Sequence, residues 1–173
     1  MNIPEKIITH HALSSKESTA QDIDMWHRLR WPGFVSRYYK NNKGEPYHVG
    51  YHYVIEWNGN IIQCRDESEE GAHTLGMNLK SIGVCFIGNF DNHMPSKEQE
   101  LAWQKLYEGI VKRHPNLVPE TCVPHRMYAN KSCHGKLLSD NYFADLVSVQ
   151  RLERRIVELK AILIKLLSLI KSK

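Results

Sequence analysis

Ser81-Ile-Gly-Val-Cys-Phe-Ile-Gly88 is an unbroken apolar run with β-branched content and no alternation towards a polar face. Such a run fits a strand covered on both sides, and so predicts the middle of a sheet with helices over each face. Upstream, Tyr51-His-Tyr-Val-Ile-Glu-Trp57 and Asn60-Ile-Ile-Gln-Cys-Arg65 flank Asn58-Gly59, the dipeptide that tight hairpins favour. They predict two antiparallel strands. Lys6-Ile-Ile-Thr-His10 predicts a short buried strand near the start of the chain. Thr19-Ala-Gln-Asp22 has the form of a capping box ahead of Ile23, Trp26, His27 and Leu29, whose spacing suits an amphipathic helix ended by Pro32. Pro95-Ser96 opens a second helix with Leu101, Leu106, Ile110 and Val111 on its apolar face and an end near His114-Pro115. Residues 33 to 46 and 116 to 138 read as loops. Strands with helices between and after them predict an α/β fold, a mixed central β-sheet flanked by helices.

The chain of 173 residues has room for one domain and an appended element. Its 42% hydrophobic and 24% charged content is that of a globular protein and excludes a disordered one. The opening residues lack the basic segment and apolar core of a secretory signal, so synthesis in the cytoplasm without a signal peptide is expected. The four cysteines show no disulfide framework and are expected to be reduced, with Cys64 and Cys85 serving as small core residues. Cys122 carries no assigned role.

The net charge of +4 is unevenly spread: residues 148 to 173 hold seven of the 23 basic residues and two of the 19 acidic ones. The remaining body is nearly neutral and has no basic patch interleaved with aromatics, so no nucleic-acid partner is expected. Within the basic segment, Val149, Leu152, Ile156, Leu159, Leu163, Leu166 and Ile170 form a heptad seam. Its β-branched a positions and Leu d positions lean towards a parallel dimer. Ile162, Ile164, Leu167 and Leu169 add apolar surface off the seam. That suits a higher oligomer, packing onto the body, or an interfacial helix edged by Lys160, Lys165 and Lys171. The lysines interrupt the run too often for a transmembrane span. The division expected is a domain over residues 1–147 and a C-terminal basic amphipathic helix over 148–173, with self-association or membrane-surface contact through Val149 to Ile170.

The chemistry is concentrated in His125-Arg-Met-Tyr-Ala-Asn-Lys131-Ser-Cys133 and in the His10-His11 pair. Two imidazoles and a thiolate make three candidate metal ligands. A structural zinc site normally closes with four protein ligands, whereas a catalytic one keeps a position for water. Successive strand residues face opposite ways, so only one of His10 and His11 can readily meet the ion; His10 is preferred and His11 is the alternative. Lys131 suits a neighbouring thiolate or an oxyanion site. His52, opposite Tyr51 on its strand, reads as a core or supporting residue. His134 is a possible surrogate ligand; His27, His48, His93 and His114 read as surface or core residues.

These residues resemble the type 2 N-acetylmuramoyl-L-alanine amidases, the family that includes amidase-type phage lysozymes and animal peptidoglycan recognition proteins. The resemblance covers about residues 5 to 140. It is carried by the strand ending in His10-His11, Val49-Gly-Tyr-His-Tyr-Val-Ile55, Gly71-Ala-His-Thr-Leu-Gly-Met-Asn78, Ser81-Ile-Gly-Val84, Gly88-Asn-Phe-Asp91 and the spacing of His125, Lys131 and Cys133. It implies Zn2+ held by His10, His125 and Cys133, with Tyr51 and Lys131 as the catalytic polar groups and His73 and Asn78 in contact with substrate. The implied substrate is peptidoglycan, cut at the amide between the lactyl group of N-acetylmuramic acid and L-alanine. One departure stands out: the family usually has Ser or Thr and then Ala soon after the first ligand, whereas Ala12-Leu13 follow here. The expected lack of a signal peptide, the loop over residues 33 to 46 and the cationic tail favour, within that family, a phage or prophage endolysin that acts on the cell wall after release. The alternatives are a non-catalytic peptidoglycan-binding recognition protein and a cytoplasmic wall-recycling amidase.

Overall fold

The computed structural model describes the backbone over residues 1–171 and the side chains over 1–165 and 167; Leu166, Leu169, Ile170 and Lys171, named above, lie outside the described side chains. The strands are β1 (Lys6–His11), β2 (Tyr53–Ile55), β3 (Ile61–Gln63), β4 (Ser81–Phe86) and β5 (Cys122–Pro124). Helix α1 (Ala20–Arg30) follows β1, α2 (Lys97–Arg113) follows β4, and α3 (Tyr142–Lys171) follows β5. They build a mixed sheet in the spatial order β3-β2-β4-β1-β5.

The apolar run at β4 does occupy the centre, with every residue buried. It pairs in parallel with β1, from Lys6 opposite Ser81 to His11 opposite Phe86, and with β2 on its other edge. Only the β2–β3 hairpin is antiparallel, turned by Gly59 at φ +86°. Side chains alternate across the sheet. Ile82, Val84 and Phe86 pack with Trp103, Leu106 and Ile110 of α2 and with Phe143 and Val147 of α3, whereas Cys85 and Ile87 pack with Ala20 and Ile23 of α1. Both predicted helix starts carry reciprocal capping boxes, Thr19 with Asp22 and Ser96 with Gln99, which satisfy otherwise orphaned backbone N–H groups.

The stretch read as a loop over residues 116–138 contains a strand. β5 pairs in parallel with β1 through Ile7–Cys122, Ile8–Val123 and Thr9–Pro124. Three residues ending in Pro give too short a pattern to detect, and Pro is tolerated there because β5 is an edge strand.

Helix α3 begins ahead of the basic segment, and its first turns belong to the core. Phe143 stacks on Phe86 at 4.2 Å, and the Trp103 indole N–H donates to the Phe143 carbonyl at 2.8 Å. Beyond Val147 the helix leaves the body. Val149, Leu152, Ile156, Leu159 and Leu163 are each half exposed or more, while Arg154 pairs with Glu108 of α2. No helix among the described residues is long and apolar enough to cross a membrane.

At the opposite end of the sheet from the His pair, buried Glu67 accepts from Tyr53 Oη at 2.8 Å, from Arg113 at 2.7 and 2.9 Å, and faces His114 Nε2 at 2.9 Å. Burial pushes its carboxyl up, but the hydrogen bonds from Arg113, Tyr53 and His114 outweigh that and hold it below the usual carboxylate range. A depressed folded-state pKa stabilises the fold above the unfolded pKa of about 4.3, and the contribution is lost as pH falls through the folded value. Glu67→Gln is therefore expected to cost about 1–2 kcal/mol at pH 7, with the difference from wild type closing below about pH 4, as read from denaturant midpoints.

Candidate metal centre

The centre lies at the carboxyl ends of β1 and β5, the edge of an open α/β sheet where ligands commonly bind. The parallel register that sets Thr9 beside Pro124 brings the next residues, His10 and His125, side by side. Their rings are 4.5 Å apart. Cys133 closes the group from the following loop, with Sγ 3.7 Å from His10 Nδ1. The ligand atoms of His10, His125 and Cys133 all lie within 4.8 Å of one another. A tetrahedral metal with bonds of 2.0–2.3 Å needs edges of roughly 3.5 Å, so the three residues fit one ion with little movement. The donor set is two imidazoles and one sulfur.

Alternation along β1 turns His11 to the other side of the sheet. There its Nδ1 accepts from Phe90 N at 3.0 Å and its ring lies 5.9 Å from Phe90. His134 is also committed elsewhere: Nδ1 meets Thr9 Oγ1 at 2.6 Å and Nε2 meets the Ser139 carbonyl at 3.0 Å.

The loop that presents Cys133 is held by Arg126, a residue the sequence reading passed over. Its guanidinium donates to the carbonyls of Gly135 and Leu138, each at 2.7 Å, and to Asp140 at 2.5 Å, while its backbone N–H donates to the Cys133 carbonyl at 2.6 Å. Asp91 adds a second brace, accepting from Ser132 Oγ at 2.9 Å and Lys136 N at 2.8 Å. At Gly135, with φ +127°, a Cβ would lie 2.4 Å from Phe90 Cβ, so only glycine lets the loop close on the body.

Burial, with His73 and His125 nearby, holds His10 well below the usual imidazole range, which keeps it neutral and able to ligate. Burial also pushes the Cys133 thiol up to about 12, against the opposing pull of the His11 backbone, Lys131 and Arg126. The sulfur is thus protonated in the absence of a cation, and a metal that binds must displace that proton.

Tyr51 lies against the same ligand, its ring 4.9 Å from His10. Burial, with the Cys85 and Cys133 sulfurs beside it, pushes its phenol well above the usual range, so it remains a donor. Cys85, expected only as a core residue, is buried among Val54, Ile87 and Ile23 and also neighbours this hydroxyl. Lys131 is exposed, and its charge is felt at both His125 and Cys133. His73 is buried against His10. Asn78 Oδ1 accepts from the backbone N–H groups of His73 and Thr74 at 3.0 and 2.8 Å. His52 is fully buried, accepting from Gly83 N at 3.0 Å. His27, read as a surface or core residue, accepts from Gly50 N at 2.9 Å and packs 5.5 Å from the Tyr51 ring, which steadies that tyrosine.

Residues 1–136 match the family model for N-acetylmuramoyl-L-alanine amidase. Among similar proteins, the endolysin of Escherichia phage T7 is 37% identical over 87 residues, covering 43% of this chain and 58% of that protein. Peptidoglycan-recognition protein SD of Drosophila melanogaster is 34% identical over 90 residues, covering 52% of this chain and 48% of its own. The chain thus spans about half the length of the relatives it matches. In solved structures the fold recurs in the N-acetylmuramoyl-L-alanine amidase LysC from Clostridium intestinale URNW, with a TM-score of 0.68, 23% identity and 87% of each chain covered.

Proposed function

The chain belongs to the N-acetylmuramoyl-L-alanine amidase family, and from that premise we propose that it is a zinc-dependent hydrolase of the lactyl amide in peptidoglycan. The observation that carries this reading is the convergence of His10, His125 and Cys133, the three ligands grouped among the described residues, which would leave a coordination position for the reaction. An ion held there supplies Lewis acidity and an activated water near neutral pH. Hydrolysis breaks the carbonyl carbon–nitrogen bond; the carbon takes the hydroxyl of water and becomes the lactyl carboxylic acid, the nitrogen takes the other proton and becomes the amino group of L-alanine, and the acid proton then passes to that amine or to solvent.

The chain's own residues would do the rest. Tyr51, protonated because its phenol is pushed up, can donate its Oη–H to the carbonyl oxygen as charge builds there. Lys131 adds a positive charge on the open side of the ligands, where an oxyanion or a departing amine would gain from it. Tyr51→Phe and Lys131→Ala should each retain zinc and each lower turnover by about a hundredfold or more. Stem-peptide release from purified walls measures the rate, and metal analysis on the same samples separates loss of chemistry from loss of the ion.

A recognition protein that binds muropeptides without cutting them is the competing reading, and it is favoured by the likeness to peptidoglycan-recognition protein SD. Cys133 argues for cleavage, because its sulfur completes, with the two imidazoles, a donor set that a catalytic zinc can use. The deciding experiment is mass spectrometry of walls treated with the zinc-loaded protein. New free L-alanine amino termini support the amidase; tight wall binding with intact amides supports recognition. The likeness to a phage endolysin supports an endolysin role, which would be tested by lysis on expression together with a membrane-permeabilising protein.

A further inference from the structure

His10 presents its two ring nitrogens to different partners: Nδ1 faces Cys133 Sγ at 3.7 Å, and Nε2 faces His73 Nδ1 at 3.1 Å. A nitrogen that ligates a metal carries no proton, so an imidazole bound through Nδ1 must hold its hydrogen on Nε2. That N–H is buried with the rest of His10 and needs an acceptor. We infer that His73 is a positioning residue for the metal centre: its Nδ1 accepts the His10 Nε2–H and so reserves His10 Nδ1 for the ion. The inference rests on the zinc reading above.

The surroundings of His73 are built for that single placement. The ring is 9% exposed and fits only because two neighbours lack side chains; a Cβ on Gly83 would lie 2.6 Å from it and one on Gly71 2.5 Å away. The Asn78 carboxamide clips the backbone of residues 73 and 74 from below, and Thr74 Oγ1 lies 3.0 Å from the same Nδ1. The Ser81 carbonyl lies towards the ring, whose Nε2 makes no close hydrogen bond. A proton on Nε2, on the side where the Ser81 carbonyl lies, would leave Nδ1 free to accept from His10. Metal-bound histidines commonly donate their second N–H to a fixed acceptor, and loss of that acceptor costs about 10–100-fold in metal affinity. His73 is then a support beneath the ligand, in place of the cleft contact suggested by its sequence motif.

The test is competition for zinc between a chromogenic chelator and three full-length proteins: wild type, His73→Leu and His73→Asn. The Asn carboxamide oxygen can occupy the place of Nδ1. Zinc affinity is expected to fall about 10–100-fold in His73→Leu and to recover largely in His73→Asn. Wild-type affinity in His73→Leu, or equal losses in both variants, would overturn the inference while leaving the zinc reading intact. Absence of zinc binding by wild type would overturn both. A measurement on the unaltered protein guards against a variant that fails to fold: 15N spectra of the zinc-loaded imidazoles should show His10 as the Nε2–H tautomer with a slowly exchanging proton. The Nδ1–H tautomer there refutes the proposal.

Discussion

Cys133→Ser is expected to leave the protein folded, to strip it of zinc, and to reduce stem-peptide release by about three orders of magnitude or more. Of the three proposed ligands only a Cys133 thiolate would bring negative charge to an ion, and its sulfur reaches from the Arg126-braced loop to within 3.7 Å of His10. A serine hydroxyl is shorter, harder and far more reluctant to lose its proton, so two neutral imidazoles would be left to hold a divalent cation. The metal-free fold should be little changed, because serine is smaller than the buried cysteine it replaces and the loop is held by Arg126 and Asp91. Metal content, thermal melting in chelator and wall hydrolysis read the three outcomes separately. Hydrolysis at the wild-type rate in this variant would sink the assignment of the site.

Cutting the chain at two nearby points should give opposite results. Removal of residues 148 to 173 is expected to leave a folded, zinc-binding protein, because the seam positions from Val149 to Leu163 are largely exposed and Arg154–Glu108 is a surface pair of the kind worth little. Removal from Tyr142 onward should abolish cooperative folding. That cut deletes Phe143, Ala144 and Val147 from the core, orphans the Trp103 indole N–H, and uncovers Phe86 in the central strand. Loss of a buried Phe side chain alone costs about 3–5 kcal/mol, a large part of the stability of a domain of this size. It would also loosen the metal loop, since His134, next to Cys133, packs edge-on to Phe143 at 5.2 Å. Chemical denaturation of the two truncations decides the matter: matched transitions would show that α3 begins outside the domain. The shorter deletion, compared with the full chain by sedimentation and by flotation on anionic vesicles, also reads whether the exposed stripe serves self-association or membrane contact.

Much of this protein could be read residue by residue. The β4 run announced a doubly covered strand, Asn58-Gly59 a hairpin, and Thr19–Asp22 and Pro95-Ser96 the starts of two helices, because each signal is a property of a few consecutive residues. The spacing of His125 and Cys133 likewise pointed to two of the three residues that the fold brings together. The α3 boundary was less visible. The heptad seam starts at Val149, yet the helix starts at Tyr142, because its first turns obey the demands of the core and not of the repeat.

What the chain alone determined, then, was the class of fold, the residue types at the centre and the cationic stripe that follows it. Only the tertiary structure decided how they meet: β5 pairs with β1 across more than a hundred residues, as the Thr9–Val123 bond shows, and that register sets His125 beside His10 and turns His11 away. It likewise decided that His73 lies beneath His10, since two glycines on separate segments, Gly71 and Gly83, open the space for its ring. Periodicity and capping are written in neighbouring residues, whereas the choice of which imidazole nitrogen faces a sulfur depends on strands and loops brought together from opposite ends of the domain.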